Sequence, residues 1–290
     1  MKLTKARDSP RRQHVSRLRL RSLTQAFGDN THRSIMGMVC IYCRGSSDTT
    51  HGLAHVFPEA VVANAVTLPL GTVCDRCNNY LSSLDTILAA HPWISFAVQS
   101  LGLPGKQRRV RKELSGVSRN VRPGWVTVET AEPRTVVARD GTRTTTFEPL
   151  IDSRFDLKGF RRALYHVGLN SVAHRHGAAG ALSAEYDEVR RYVRYPHKGE
   201  EWGFAQRVAP LDRIRDEVGV DHVAAGDREL VCIVAFNFSF YVDLQRPDAL
   251  KNPAALGLPS DTEYLHPGYQ LPRYSKGRRR FRVSIELPHK

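Results

Sequence analysis

Acidic residues are scarce in this chain: 29 Asp and Glu stand against 43 Lys and Arg, leaving a formal charge of +14. A surface so one-sided implies a polyanionic partner, most often nucleic acid, because each neutralised phosphate releases a condensed counterion. Long apolar runs are missing too. None approaches the ~20 residues needed to span a bilayer, so no membrane partner is expected. The N-terminal stretch MKLTKARDSPRRQHVSRLRLRS carries charge but no apolar core, so it does not read as a secretory signal. Cysteine is also sparse, and its count of five is odd. Four of the five lie between residues 40 and 77, whereas a disulfide-stapled secreted domain would spread its pairs along the chain. Reduced thiols and a cytoplasmic location follow as expectations. No internal repeat is visible.

What is present divides into three stretches. Residues 1–35 are rich in Arg and Lys and poor in apolar side chains, which predicts a basic, disordered or weakly helical arm. Residues 36–95 hold the cysteines with a histidine and asparagine constellation. Residues 96–290 read as a mixed α+β region. Within it, WVTVET (125–130) and RTVVARDGTRTTTFEP (134–149) look like strands, with Asp140-Gly141 as a hairpin turn. From Gly159 to about His176 the pattern shifts to a helical period, with Phe160, Ala163, Leu164, Val167, Ser171 and Val172 on one face and Gly177 as a stop. Residues 181–194 predict a second helix, or a helix running into a strand. CIVAFNFSFYVDL (232–244) is the most strand-like run, and RFRVSIEL (280–287) is expected to pair in the same sheet. The basic runs 106–122 and 273–282 adjoin these elements and are candidates for phosphate contacts.

The strongest motif is Cys40-Ile-Tyr-Cys43 followed, after residues 44–73, by Cys74-Asp-Arg-Cys77. Two residues between thiolates let each pair form a tight knuckle, and two knuckles complete a tetrahedron around zinc. Four protein ligands leave no open position, so such a zinc is structural, clipping together a segment with little apolar content of its own. Cys232 lies in an apolar run and reads as an ordinary core residue.

Between and after the knuckles stand HGLAHVFPEA and LPLGTVCDRCNNYLSSLD. This segment, about residues 38–95, resembles the zinc-knuckle branch of the HNH endonucleases, in which a His-hydrophobic-hydrophobic-Pro step (His55-Val56-Phe57-Pro58) lies between the knuckles and the second pair runs into Cys77-Asn78-Asn79. Weaker similarity continues into FRRALYHVGLNSVA and YDEVRRYVRYP. The resemblance implies an α+β protein built on a ββα-metal (His-Me finger) module, with the rest of the chain forming an antiparallel sheet and helices. It implies that His55 is the general base, a role that suits an imidazole because its ordinary pKa of about 6.5 leaves it mostly neutral. Asn78 falls at the terminal metal-ligand position of the motif. Glu59, Asn79 and Asp85 would surround a catalytic Mg²⁺ or Mn²⁺, beside the structural Zn²⁺, and the partner would be DNA.

The chain departs from the family pattern in two places. Where the family carries Asp or Glu immediately before the histidine, this sequence has Ala54, which cannot ligate a metal. The middle asparagine of the motif is also displaced, with Asn64 as the nearby candidate. Glu59, Asp48 or His51 would have to substitute for the missing acid. The alternative expectation is a zinc-stabilised nucleic-acid-binding protein with impaired catalysis.

Overall fold

A computed structural model describes residues 38–62, 65–101, 103, 155–197, 200–209, 214–226 and 228–269, together with the backbone of six strands between residues 113 and 146 and at 281–286. The basic arm, Asn64, the Asp140-Gly141 turn and most of the two downstream basic runs lie outside the described residues.

Downstream of the second knuckle, buried Cys77, Leu81, Leu84 and Leu88 recur at three- and four-residue intervals, and α1 (Asp75–Ala89) buries that stripe. Asp75 in its first turn complements the helix dipole. Pro92 cannot continue a helix but can start one, and it opens α2 (Pro92–Ser100). The long helix α3 (Leu157–Ala181) begins where the Asp156 side chain accepts from Gly159 N–H at 2.8 Å. Its regular path breaks at Gly177, whose φ of 74° a side chain would disfavour, so the stop signal read from the sequence marks a kink with one further turn beyond it. Acidic Asp187 and Glu188 open α4 (Asp187–Arg194) and basic Arg191 and Arg194 close it, in the sense that the dipole favours.

The strands form three antiparallel sheets. In the first, β1 (Glu113–Leu114), β2 (Val117–Arg119), β3 (Trp125–Thr130) and β11 (Phe281–Glu286) lie in that order. The second pairs β4 (Arg134–Val137) with β5 (Arg143–Thr146). The third has the order β10 (Glu263–Leu265), β6 (Phe204–Val208), β9 (Phe238–Val242), β8 (Arg228–Ala235), β7 (Val218–Ala225).

Two expectations change here. The run 232–244 is not one strand: it turns at Phe236, which sits at φ 61°, and Ala235 pairs with Phe238 across the bend. A buried Phe in the left-handed region is uncommon, and its ring, 3% exposed, gains from burial what the backbone loses. Likewise 281–286 does not join that sheet but pairs along its whole length with β3, Val283 facing Val128. Strand propensity marks an extended segment without naming its partner.

One apolar cluster runs from the knuckles (Ile41, Tyr42) through α1 and α3 to one face of the five-stranded sheet (Val231, Ile233, Phe240). A Cβ on Gly168 would meet Leu244 at 2.9 Å, which shows how closely α3 approaches the sheet there. The sheet's other face carries a smaller cluster that includes Ala205, Leu230, Cys232 and Tyr241. Burial pushes the Cys232 thiol up to about 11, as suits the core role expected of it. Among the described residues no helix is long and apolar enough to cross a membrane.

Candidate metal clip and histidine hairpin

The first knuckle is a tight loop in which Cys40 N–H donates to Gly45 O at 2.9 Å and Arg44 N–H returns to Cys40 O at 3.0 Å. A bridge between Val39 and Ser46 closes it. The second knuckle is the start of α1, with Cys74 at the N-cap and Cys77 in the first turn. Ile41 N–H donates to Thr72 O at 3.0 Å and ties the two loops together.

All four thiol sulfurs lie within 4.8 Å of one another, and Cys43 Sγ stands 3.7 Å from Cys74 Sγ. That separation is far longer than a disulfide of about 2.05 Å. It matches the ~3.8 Å edge of a tetrahedron with zinc–sulfur bonds of about 2.3 Å. The four cysteines therefore form a cluster that could hold a metal such as zinc. Cys40 and Cys77 are buried, and Cys43 and Cys74 reach the surface.

The local electrostatics favour a thiolate at Cys40: the hydrogen bond from Cys77 pulls its thiol down against the effect of burial, while that same hydrogen bond and burial push Cys77 up. Arg194 Nε donates to Cys77 Sγ at 3.4 Å, and its guanidinium lies over the Tyr80 ring, 4.1 Å from the centroid. A cation is thus held against the sulfur cage by α4, more than a hundred residues away in sequence.

His55 lies on a short hairpin between the knuckles. It bridges Thr67, with Val56 N–H donating to Val66 O and Leu68 N–H to Ala54 O, both at 2.8 Å. The hairpin abuts the start of α1. Asn78 Nδ2 donates to Leu53 O at 3.4 Å, and the Asp75 carboxylate accepts from the N–H groups of Gly52 (2.8 Å) and His51, which hold it below its ordinary range. A Cβ on Gly52 would sit 3.0 Å from Asp75 Oδ1 and 3.1 Å from Asn78 Nδ2. Asn78 is half-buried and Asn79 is exposed; neither caps α1, because that position belongs to Cys74.

The structure adds three residues that the sequence did not flag. His166 and Asn170, one turn apart on α3, meet Tyr42 of the first knuckle. His166 Nδ1 and the Tyr42 hydroxyl are 2.8 Å apart, Tyr42 donates to Asn170 Oδ1 at 2.7 Å, and Asn170 Nδ2 donates to the His55 carbonyl at 2.8 Å. If the hydroxyl donates to Asn170, His166 Nδ1 must carry the proton that reaches Tyr42, so one directed chain of donors runs from α3 to the hairpin. Burial, with Arg162 adding to it, pushes His166 down to about 3, and burial pushes the Tyr42 phenol well up, so both are neutral.

The acidic side chains do not gather with His55 into a cluster of ligating groups among the described residues. Asp85 Oδ1 lies 3.6 Å from His166 Nε2, too long for a hydrogen bond. Asp48 is engaged within the first knuckle, accepting from Met38 N–H at 2.5 Å and Ser46 Oγ at 2.8 Å. His51 is exposed beside Asp75. Glu59 is half-buried one residue past Pro58 and makes no ion pair among the described residues. Among the described residues only two sets of three or more His, Cys, Asp and Glu bring their ligand atoms within 4.8 Å, and His55 belongs to neither. The residues present thus suit zinc at the cysteines, but no carboxylate cage for Mg²⁺ or Mn²⁺ stands ready at His55. Comparison with family models, with curated proteins and with solved structures finds no match to this chain.

Proposed function

We propose that the chain is an HNH-type, metal-dependent endonuclease that hydrolyses phosphodiester bonds in DNA on a structural-zinc scaffold. One observation carries the reading: the hairpin bearing His55 lies across the first turn of α1, which bears Asn78, between two cysteine knuckles poised for zinc. In this reading the His55 imidazole takes a proton from a water as its oxygen bonds to phosphorus. The bond to the leaving 3′-oxygen then breaks, and that oxygen gains a proton from solvent. The N-terminus of α1 supplies partial positive charge beside the phosphate. Asn170, by holding the His55 carbonyl, is a positioning residue.

A bound Mg²⁺ or Mn²⁺ would supply charge neutralisation at the scissile phosphate, and Asn78 is the side chain that would hold it. Such ions keep several waters and take substrate oxygens as ligands, so a complete protein cage is not required. The charge of +14 supports a polyanionic partner. Four reduced thiols also suit a reducing compartment such as the cytoplasm.

A second reading rests on Ala54, buried at 6% exposure where a carboxylate would be needed, and on the absence of His55 from any cluster of ligating side chains among the described residues. It makes the chain a zinc-stabilised DNA binder without catalysis. Incubation of zinc-loaded full-length protein with supercoiled plasmid separates the two. The nuclease reading expects nicking that requires Mg²⁺ or Mn²⁺ and falls about 10²- to 10⁴-fold in His55→Ala. Salt-sensitive binding with intact plasmid from about pH 6 to 9, in every divalent metal tried, would leave only the binder.

A further inference from the structure

We propose that His176, His222 and Glu229 form a second metal site, suited to zinc or a similar divalent transition ion, with one coordination position open to solvent. Their ligand atoms lie within 4.8 Å of one another, and none belongs to the cysteine clip or the His55 hairpin. Two imidazoles and one carboxylate are a borderline-soft donor set, the kind that leaves zinc a free fourth position.

Three elements converge to build the site. His176 is the last residue of α3 before the Gly177 kink. His222 lies on the edge strand β7 opposite Val231, and Glu229 lies on β8 opposite Ala224. The two are thus diagonal neighbours on one face of the sheet, the face carrying Val231 and Ile233 against which α3 packs. The His176 and His222 rings meet edge to face, with centroids 6.2 Å apart. The His222 side chain is 5% exposed and Glu229 is 43% exposed, so the site is anchored inside and open at its rim.

The hydrogen bonds around His222 allow it to serve a cation. Ser171 Oγ lies 3.1 Å from His222 Nε2 and its hydroxyl can donate to Gly168 O at 2.7 Å, so it can accept from Nε2–H. In that tautomer the lone pair of Nδ1 faces Glu229 Oε2 at 3.1 Å, and a metal ion would take both as ligands in place of the proton they otherwise share. Ser171 then fixes the imidazole tautomer, and Arg175, 2.7 Å from Glu229 Oε1, orients the carboxylate to offer its other oxygen. Ser171 itself is buried in mid-helix, so it orients the imidazole and does not act as a nucleophile.

The test is the metal stoichiometry of the full-length protein equilibrated with zinc, with cobalt as a spectroscopic probe. We expect one metal equivalent beyond that held by the cysteines. It should disappear in His176→Ala and in Glu229→Gln, two changes at exposed positions, while the thiolate-to-cobalt absorption of the cysteine site stays. Ser171→Ala should weaken the second equivalent by about 10- to 100-fold. A wild-type protein that binds metal only at its thiolates, or a second equivalent that survives both exposed-residue variants, overturns the proposal.

Discussion

The cysteine clip and the histidine hairpin occupy the same sixty-residue stretch, yet they are built on opposite principles. The clip takes all its ligands from two short local motifs: each pair is three residues apart, Cys43 and Cys74 already stand at the spacing of a zinc tetrahedron, and only the Arg194 cation beside Cys77 comes from a distant element. The hairpin borrows its rigidity from elsewhere, through Asn170 and Tyr42, and the Asp48 and Asp75 carboxylates near it accept hydrogen bonds from other groups. A structural metal site can be encoded locally, whereas a reacting imidazole depends on side chains that the fold brings from far away.

The largest effect should come from removing the clip. Chelation, or Cys77→Ala, should cost on the order of 10 kcal/mol of local folding. Hydrogen exchange across residues 40–98 would report it as lost protection. Full protection after zinc removal would make the clip dispensable and break the contrast.

Acid should act next. Burial holds His91, stacked on Phe160 with centroids 4.6 Å apart, and His166 each at about 3. The unfolded chain takes up these protons near the ordinary value of about 6.5. Between the two values the unfolded state binds more protons, so stability is complete above about 6.5 and is lost as pH falls toward 3, by about 1.4 kcal/mol per pH unit for each histidine. Denaturant midpoints measured against pH should show a shallower fall in His91→Leu than in wild type. The comparison between the two proteins sets aside acid release of zinc, which both share. Identical slopes would contradict the burial account.

A smaller loss, about 1 to 3 kcal/mol, is expected for Tyr42→Phe, which strands Asn170 Oδ1 inside the protein. Thermal melting would measure it, and an unchanged melting temperature would mean that the donor chain from α3 does not anchor the hairpin.

These differences also explain what the sequence could disclose. The knuckles, the helical period from Gly159 to His176 and the Gly177 break depend on residues within one or two turns of each other, so spacing reveals them. Tyr42 meets His166 across 124 residues, and no local pattern marks that meeting; only the one-turn spacing of His166 and Asn170 on the buried stretch of α3 is a visible signal. The bend at Phe236 is marked in the sequence only by Asn237 within a run of strand formers, and the pairing of 281–286 with 125–130 has no local mark because alternation does not specify a partner. His222 and Glu229 are seven residues apart, but the hairpin that makes them diagonal neighbours, and the helix end that adds His176, are tertiary facts.

The most direct test of the clip is X-ray absorption at the zinc edge of His176→Ala protein, in which the cysteines alone are expected to bind. The spectrum should show four sulfur scatterers at about 2.3 Å. Zinc bound mainly by nitrogen and oxygen, or protein that folds with no zinc at all, would contradict the claim that these four thiolates close around one ion.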